Sequence, residues 1–550
     1  MICRLVLTLG LALSLPALAS ERDTARAWVE QKNYPAAIEI LERLVAQHPD
    51  DADLLIETAR VHAWADRHDA AIHHYQTVAA RFSDRRSDVA LPLAWQLLWH
   101  GQPDPALPWF DEAAQQPALR RDAQHGRAES LIALQRLPEA EAVYQMLALD
   151  PDDIKAQKAA ARLALWQGQT ETALQRYTGL AQRYADDNEI RIGLARALNE
   201  RGAHQAATRQ YAAAVADNAA LAQDTRPERA RALRWSGQDA AALQTLGNAP
   251  DADDLRQVLR RDTASHLRSE IESSHDSDSL DIHALTLGWQ PHRGAALLDA
   301  SVRLARIEQN TVRIDGQQFL LRASSVFGGT RGVFQPSLSA GVRDYDGWTT
   351  AAWKLAAKWL PADFWRIDVE AGNDVVETTT ALQQQVEFNY LTLGADWRFA
   401  PRWLATLGTA VLDFDDGNQR RRALGRLAYT WLADAPRIIT GLEVLHFTDS
   451  DPTIARGYYN PETYREAKAF VQAEYHTGGW LLAGRLALGR LSESPGSNSN
   501  LTQWELSAER AFTSDFFFRV HASGSDSRSL TGGGSGYERT VLGASLHWLY

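Results

Sequence analysis

The chain ends in TVLGASLHWLY, residues 540–550, and this stretch decides the fold of its second half. Apolar side chains recur there at every second position, namely Leu542, Ala544, Leu546, Trp548 and Tyr550. The mean hydropathy of the whole chain is −0.34, and in water such an alternating edge would be an aggregation hazard. The pattern therefore indicates a β-strand whose apolar side meets lipid and whose edges are paired.

The composition is that of a folded protein with more than one domain. With 550 residues the chain is too long for one ordinary hydrophobic core, so two or more domains are expected. The apolar share of 45% and the charged share of 23% are typical of globular rather than disordered chains. The formal net charge of −12 argues against a nucleic-acid binder, because a phosphate backbone selects a basic surface.

Residues 1–19 have the pattern of a secretory signal peptide. Arg4 precedes an apolar run from Leu5 to Leu15, and Ala17-Leu18-Ala19 forms a cleavage site. The alternative is a membrane anchor, but the run is shorter than the ~20 residues that span a bilayer. The only cysteine, Cys3, lies in this segment, so we expect a mature protein without thiols or disulfides. Such a chain fits the periplasm or the outer membrane.

Residues 20–262 contain a repeat of about 34 residues with helical spacing. Anchor alanines recur at Ala37, Ala71, Ala106, Ala140, Ala173, Ala207 and Ala241. One helical turn further on stand larger side chains, Leu41, Tyr75, Phe110, Tyr144, Tyr177 and Tyr211. The pattern resembles the tetratricopeptide repeat (TPR), a helix-turn-helix unit. The resemblance implies a solenoid of six to seven repeats whose groove binds a partner or an extended polymer.

Residues 263–550 change to alternating segments separated by polar breaks. We predict sixteen strands, starting near His266, Leu280, Ala295, Gln317, Val333, Trp348, Phe364, Gln385, Arg402, Arg420, Arg437, Tyr464, Trp480, Leu501, Asp515 and Tyr537. Short breaks such as LPAD, ADAP and HTGG alternate with longer ones, namely ARIEQNTVRIDG, VETTTALQQQ, LDFDDGNQ, FTDSDPTIARGYYNPET, LSESPGSNSN and GSDSRSLTGGGSG. Short and long connections alternate in outer-membrane β-barrels, which have an even number of strands.

Most of these strands are apolar on one side and ionic on the other. In the seventh, Trp365, Ile367 and Val369 oppose Arg366, Asp368 and Glu370. In a barrel the apolar side would meet lipid and the ionic side would line water; in a soluble sandwich, the alternative, the ionic side would be the outer surface. Aromatic residues near strand ends predict interfacial girdles, at Trp348, Trp359, Trp403, Trp431, Trp480 and Trp548. The predicted fold class is therefore α + β in two domains, a TPR solenoid followed by an antiparallel transmembrane β-barrel of about sixteen strands.

Residues 540–550 would then be the closing strand, paired with the first strand near His266. The end of this strand resembles the C-terminal signal by which outer-membrane barrels are recognised for insertion, carried here by Leu546, Trp548 and Tyr550. That resemblance implies the barrel assembly machinery and outer-membrane lipid as partners.

A signal peptide, a TPR array and a C-terminal sixteen-strand barrel together resemble the outer-membrane exopolysaccharide exporters, the porins for poly-N-acetylglucosamine, cellulose and Pel polysaccharide. The resemblance is architectural and covers essentially the whole mature chain. GYYNPETY, residues 457–464, is similar to an aromatic element of the cellulose-exporter type. For Tyr458, Tyr459 and Tyr464 two roles remain open, sugar stacking or gating on one side and a loop packed on itself on the other.

The resemblance implies an exopolysaccharide chain as cargo. It also implies that the TPR domain lies in the periplasm and docks a polysaccharide-modifying enzyme and the inner-membrane synthase complex. The candidate residues for the water-filled side of the barrel are Glu270, Glu272, Asp299, Arg303, Arg322, Arg343, Arg366, Asp368, Glu370, Asp374, Arg420, Arg422, Arg426, Glu466, Lys468, Glu474, Glu505 and Glu509. Both signs occur, so this set does not select a cationic or an anionic polymer. For any one residue the alternative is a structural ion pair.

No sequence motif predicts catalysis. HExxH, GxSxG and phosphate-binding loops are absent from the sequence, so we predict no enzyme, no catalytic residue, no cofactor and no metal site. His73 and His74 are adjacent and point to different helix faces. Asp413, Asp415 and Asp416 fall in DFDDGNQ, where a solvated turn is expected and a Ca²⁺ site is the alternative.

The function that we predict is an outer-membrane porin that exports an exopolysaccharide, with the TPR half as a periplasmic scaffold. The first alternative is a TPR-barrel scaffold or a surface receptor for phage or adhesion, with a plugged barrel. The second is a soluble β domain or a barrel enzyme.

Overall fold

The structure is a computed structural model and describes residues 21–293, 296–329, 331–433, 435–496, 498–534 and 536–550. The predicted signal peptide, residues 1–19, lies outside the described residues. The chain divides into two compact units, Met1–Ala197 and Leu198–Tyr550. Within the described ranges, none of the helices combines the length and the apolarity needed to cross a membrane.

Sixteen helices precede the first strand in the part of the chain that the structure describes. They are residues 21–30 (α1), Tyr34–Gln47 (α2), Ala52–Trp64 (α3), His68–Arg81 (α4), Arg86–Trp99 (α5), Pro103–Ala113 (α6), Arg120–Ala133 (α7), Leu137–Leu147 (α8), Ile154–Trp166 (α9), Thr170–Arg183 (α10), Asn188–Arg201 (α11), His204–Val215 (α12), Ala219–Asp224 (α13), Arg226–Trp235 (α14), Asp239–Leu246 (α15) and Asp253–Thr263 (α16).

Seven helix pairs are joined by turns with a residue in the left-handed conformation. These residues have φ between 55° and 85° and are Lys32, Asp66, Gly101, Gln135, Gly168, Gly202 and Gly237. Six of them stand five residues before a predicted anchor alanine, and each of those six anchors is fully buried. The same offset from Gly237 leads to Ala242, which is fully buried, while Ala241 is partly exposed. The seventh anchor is therefore Ala242, because the run Ala240–Ala242 left its register open to a one-residue shift.

The side chains four residues beyond the first six anchors are buried against the next helix pair. Phe110 and Tyr177 each cover a glycine sixteen residues further on, Gly126 and Gly193. A Cβ at either glycine would lie 2.1 Å from the ring, in a space that a real side chain cannot share. The small residue thus sets how closely successive repeats approach.

We expect Gly193→Ala to destabilise the helical unit by ~1–3 kcal/mol, because the added methyl overpacks the core against Tyr177. Gly179→Ala is the matched control, since a Cβ at Gly179 meets no atom within 4 Å and alanine favours the helix by ~0.5–1 kcal/mol. Thermal melting of the helical circular dichroism signal measures both. Equal melting of the two variants would contradict the packing described here.

The described residues of the second half form sixteen strands and one short helix. The strands are His266–Asp276 (β1), Leu280–Gln290 continued by His292–Arg293 (β2), Ala296–Gln309 (β3), Val312–Ser325 continued by Phe327–Gly329 (β4), Gly332–Tyr345 (β5), Trp348–Ala362 (β6), Trp365–Val375 (β7), Glu387–Ala400 (β8), Trp403–Phe414 (β9), Gln419–Leu432 (β10), Arg437–Asp449 (β11), Thr463–Thr477 (β12), Trp480–Ser494 (β13), Asn498–Ala511 (β14), Phe516–Ser525 (β15) and Arg539–Leu549 (β16). The helix Thr379–Gln383 (α17) lies between β7 and β8.

Each strand pairs with the next in antiparallel register, and the sheet closes on itself. β1 pairs with β16 from His266 opposite Leu549 to Asp276 opposite Arg539, so neither chain end leaves an open edge. The sixteen-strand closed barrel is confirmed. The strands begin within five residues of the predicted positions, except that the predicted start at Ala295 lies outside the described residues.

The connections at one end of the barrel differ from the prediction. Only three are long within the described chain, residues 376–386, 450–462 and 526–538. The stretch ARIEQNTVRIDG is mostly strand, because Ile307 and Ile314 continue the alternation and are buried, and only residues 310–311 connect β3 to β4. LDFDDGNQ and LSESPGSNSN likewise contain short connections, residues 415–418 and, among the described residues, 495–496.

Candidate functional site

The wall of the barrel has two chemically different sides. Large exposed apolar residues alternate with the other side chains along the strands; on β16, for example, Leu542, Leu546 and Trp548 are half exposed. The opposite side faces the interior, because α17 enters between β7 and β8 and contacts β3 and β4. Those strands lie at least three strands away along the wall, so the helix reaches them through the bore.

The eighteen predicted wall residues occupy the interior side by strand alternation. Three ion pairs join members of this set, Arg343–Asp374 at 3.3 Å, Arg366–Asp368 at 2.7 Å and Glu466–Lys468 at 2.6 Å. Other members pair outside the set, namely Asp299 with Arg268, Arg303 with Glu377, Glu370 with Lys354, Arg420 with Asp449, Glu474 with Arg437, Glu505 with Arg485, and Glu509 with Arg519. The structural ion pair, the alternative stated for each residue, therefore accounts for part of the set.

A continuous ionic ladder crosses β11 to β14. Lys468 bridges Glu466 at 2.6 Å and Glu443 at 2.9 Å, and Glu443 also accepts a hydrogen bond from Arg485 at 3.0 Å. Arg485 continues to Glu505 at 3.4 Å. Alternating charge fixes these long side chains against the wall and gives the interior a hydrogen-bonding surface.

Three arginines of the predicted set form no ion pair among the described residues, namely Arg322, Arg422 and Arg426. The Arg426 guanidinium lies 4.5 Å from the Phe470 ring centroid, and Arg485 covers the same ring at 4.8 Å. Phe470 itself is buried beneath these two guanidinium groups, so its ring is not an exposed face. This part of the wall therefore presents cationic groups, supported by a buried ring, to the interior.

The three long connections meet in one packed cluster, which we call the loop lid (residues 376–386, 450–462, 526–534 and 536–538). Thr378 Oγ1 donates a hydrogen bond to Gly457 O at 2.5 Å, joining the first connection to the second. Tyr459 N donates to Leu530 O at 3.1 Å, joining the second to the third. Glu377 accepts hydrogen bonds from Arg303 on β3 and Tyr345 on β5, so the lid is also tied to these two strands.

Tyr458 lies at the centre of the loop lid and is buried. Its ring stacks on Phe414 at 4.6 Å with an interplanar angle of 3°, and its hydroxyl donates to Asp416 at 2.9 Å. Burial raises the pKa of the Tyr458 phenol, which keeps the group a neutral donor. Of the two roles open for the loop aromatics, packing within the loops is thus present in this conformation.

Tyr459 and Tyr464 bind the lid to the wall. The Tyr459 hydroxyl donates to Glu493, and Tyr464, the second residue of β12, is fully buried and donates to Glu466 at 2.9 Å. Arg528 N donates to the Tyr464 hydroxyl at 3.2 Å. On the far side, Tyr537 OH donates to Asp276 at 3.2 Å. The lid therefore reaches from β12 to β1.

The acidic turn DFDDGNQ is part of the same contact region. Asp415 pairs with Arg456 at 3.2 Å, and Asp416 accepts the hydrogen bond of Tyr458. Asp413, by contrast, lies within β9. The carboxylates of Asp415 and Asp416 therefore hold the 450–462 connection in place.

At the other end of the barrel, α12 to α16 contact the strands. Gln205 N donates to the Asp363 carboxylate at 3.0 Å, and Gln335 on β5 donates to Gly237 O at 3.2 Å. Arg261 on α16 binds Glu509 on β14. Burial, followed by the charge of Arg398, lowers the pKa of His204 to about 4, so a neutral imidazole lies against Trp235. These helices lie against this end of the barrel from β5 to β14.

The outward aromatic residues gather at this same end. Trp365 stacks on Trp397 at 5.5 Å, and the contacts continue through Phe399, Trp403 and Tyr429 to Trp431. The predicted girdle residue Trp348 lies instead at the loop-lid end and packs against the interior cluster around Tyr345. Trp348 and Lys354 are an even number of residues apart on β6, so both are on the interior side of the wall. The prediction of an interfacial position for Trp348 did not take this alternation into account.

The predicted insertion signal is on the outer face. Leu546 and Trp548 are half exposed there, and the exposed Tyr550 hydroxyl accepts a hydrogen bond from Trp289 Nε1 at 2.6 Å. Tyr550 N donates to Ser265 O at 2.9 Å, so the last residue is tied to the start of β1.

Four tryptophans occupy one repeat position, a feature not predicted above. They stand seven residues before an anchor alanine and are each 50–59% exposed, namely Trp64, Trp99, Trp166 and Trp235. The first three belong to the first compact unit, where equivalent positions of stacked repeats lie in a row. Neighbours support these rings, as Trp95 does for Trp99 at 5.4 Å. The fixed offset from the anchors was the available signal.

Comparisons with known proteins agree with the helical pattern. Residues 29–95 match the tetratricopeptide repeat family. Similar solved structures include one titled "Bacterial polysaccharide outer membrane secretin", 12% identical over 52% of this chain and 99% of that chain, with a TM-score of 0.45. Others are a tetratricopeptide repeat protein from Parabacteroides merdae (14% identical, 44% and 97% covered, TM-score 0.36) and PilW, a type IV pilus biogenesis factor (18%, 38% and 98%, 0.33). The search of curated proteins returned no match.

The family match and the strand pairing define the class. The chain has an N-terminal helical TPR region followed by a closed sixteen-strand antiparallel β-barrel.

Proposed function

We propose that this protein is an outer-membrane porin that exports an exopolysaccharide, with its TPR region in the periplasm. The observation that carries the proposal is the closed sixteen-strand wall, apolar outside and ionic inside. A barrel of sixteen strands encloses an aqueous passage when no loop or helix occupies its interior. The apolar outer side requires lipid around it, and a hydrophilic extended chain suits the inner side. The protein acts as a conduit rather than as an enzyme.

The chemistry of the candidate surfaces suits a sugar polymer. Transport needs many weak and replaceable contacts, because tight binding at one place would stall the chain. The ionic ladder on β11 to β14 supplies hydrogen-bonding groups, and Arg426, which lies over Phe470, supplies further N–H donors. The exposed tryptophans of the TPR region offer further faces for sugar rings.

The TPR region also serves as the docking scaffold. We propose that it binds the inner-membrane synthase and a polysaccharide-modifying enzyme, so that synthesis drives the polymer outward. The barrel assembly machinery would insert the chain, with Leu546, Trp548 and Tyr550 as its recognition signal, after removal of residues 1–19.

The tryptophan row provides the direct test. We expect the combined variant Trp64→Ala, Trp99→Ala and Trp166→Ala to reduce secreted polymer by at least about tenfold, because each ring contributes about 1 kcal/mol of stacking. Leu149→Ala is the control, since Leu149 is 82% exposed but has no aromatic ring. Secreted and periplasmic polymer are measured in cells whose synthase is active. Undiminished secretion after complete deletion of the protein would reject the export function itself.

A second function, a surface receptor or scaffold with a plugged barrel, is favoured by the loop lid. The lid is joined to β1, β3, β5 and β12 through side-chain hydrogen bonds at one end of the barrel. Planar-bilayer conductance separates the two. A receptor stays closed when the lid is weakened, and exchange of its outer connections abolishes adsorption without changing secretion. An exporter opens.

A further inference from the structure

Three successive helices of the first compact unit bring Glu42, His62 and His74 together. Glu42 is on α2, His62 on α3 and His74 on α4. His62 Nε2 lies 2.6 Å and His74 Nε2 lies 2.9 Å from the same oxygen, Glu42 Oε1. The two imidazole rings are stacked with their centroids 5.5 Å apart. Two imidazole nitrogens and one carboxylate oxygen thus converge on one point.

The surroundings hold the imidazoles in place and leave the carboxylate accessible. His62 is 3% exposed and His74 is 7% exposed, whereas the Glu42 side chain is 42% exposed. His62 Nδ1 is buried and has no hydrogen-bond partner within the described part of the chain. No hydrogen bond at Nδ1 therefore fixes the tautomer of the His62 ring, and its Nε2 atom has Glu42 as its partner.

We propose that Glu42, His62 and His74 form a zinc site. Two imidazole nitrogens and one carboxylate oxygen are a ligand set that Zn²⁺ accepts, with a fourth position open to water or to a further ligand. The forms of these side chains that bind metal are the neutral imidazole and the ionised carboxylate. Mg²⁺ and Ca²⁺ prefer oxygen ligands, so they are not expected here.

The observed distances require a small adjustment. Ligand atoms about 2.0–2.1 Å from a tetrahedral ion are ~3.4 Å from one another, whereas the two N···O separations here are 2.6 and 2.9 Å. The partly exposed Glu42 side chain can move outward by this amount while the buried imidazoles stay in place. The ion would then replace two hydrogen bonds to one oxygen.

A zinc ion at this position would cross-link the first two repeats. Glu42 follows the anchor Ala37 on α2, whereas His62 and His74 belong to the next helix pair, which carries the anchor Ala71. Because terminal repeats have a neighbour on one side only, they are the ends from which a solenoid unravels. The site would stabilise the N-terminal end of the helical region independently of whether the barrel exports a polymer.

The test uses the full-length protein in detergent, without a histidine tag and after removal of metals by chelator. Competition with a chromophoric zinc chelator is expected to give one bound Zn²⁺, and Co²⁺ is expected to give the strong visible absorption of a four-coordinate ion. Glu42→Gln and His74→Asn should lose more affinity than the ~10–100-fold that removal of an outer-shell partner costs. Zn²⁺ should also raise the melting temperature of the helical circular dichroism signal in the wild type.

His73→Asn is the matched control, because His73 is adjacent to His74 in sequence but exposed and outside the trio. It should bind Zn²⁺ as the wild type does. Equal affinity in Glu42→Gln and the wild type would overturn the proposal, and so would the absence of stoichiometric binding. A second trio, Glu270, Glu272 and His521, lies on the barrel wall. Zinc lost in His521→Asn and kept in His74→Asn would assign the metal there and reject this site. Glu42→Gln decides if His74→Asn does not fold.

Discussion

Truncation of the chain after Glu538 is expected to abolish the folded barrel. The deletion removes β16, which forms eleven residue pairs with β1 and ten with β15. Both neighbours would then present unpaired backbone groups, and in lipid each such group costs several kcal/mol. We expect the truncated protein to lose the difference in gel mobility between unheated and boiled samples that marks a closed barrel.

Point substitutions at the C-terminus separate barrel closure from recognition. Trp548→Ala and Tyr550→Ala keep the backbone ladder and remove exposed aromatic side chains, that of Tyr550 together with its hydrogen bond from Trp289. We expect less assembled protein in the outer membrane, and a normal mobility shift in the fraction that assembles. A truncated chain that still shows the shift would disprove the closure by β16, whereas unchanged assembly of both point variants would disprove the proposed insertion signal.

Arg420→Ala is expected to open the loop lid. Arg420 and Asp449 are buried and joined at 2.8 Å, and Arg420 also donates to the carbonyl of Tyr459 in the lid. Its guanidinium lies 4.3 Å from the Phe447 ring centroid. Removal of one partner leaves a buried, unpaired charge, which costs about 3–5 kcal/mol. We expect a rise in single-channel conductance, because the 450–462 connection loses its anchor on the wall.

Arg421→Ala is the matched control for this experiment. Arg421 is the next residue, is exposed and donates only to Gln419 among the side-chain contacts of the described structure. The single-channel conductance of the Arg421→Ala protein should equal that of the wild type. Asp449→Asn is a second variant that keeps the shape of the pair, and it should open the channel less than Arg420→Ala does. If Arg420→Ala conducts no more than Arg421→Ala, the lid does not control the passage.

The repeats and the strands could be predicted because their signals are local. A helix that packs on one face needs apolar residues one turn apart, and a strand with two different sides needs alternation. The anchor alanines and the strand near His266 follow from these periods alone. The register of a repeat is poorly defined where adjacent residues are identical. The alanine run at 240–242 therefore led to a prediction that was wrong by one residue.

The interior contacts could not be predicted because they join distant positions. Thr378 and Gly457 are far apart in sequence, and only closure of the barrel brings their connections together. The sequence showed that GYYNPETY is aromatic but not which ring would be buried. Trp348 shows the same limit, since its side of the wall depends on strand register. The tryptophan row, in contrast, was available from spacing and was overlooked.

The amino-acid sequence by itself determined the two kinds of architecture, the number of strands and the chemistry of the two sides of the wall, because periodic burial leaves a periodic pattern. The tertiary structure alone decided which charges pair, how three connections interlock over the barrel, and that His62 and His74 meet at Glu42. Those outcomes depend on side chains from separate helices or strands, whose approach is set by packing rather than by spacing along the chain.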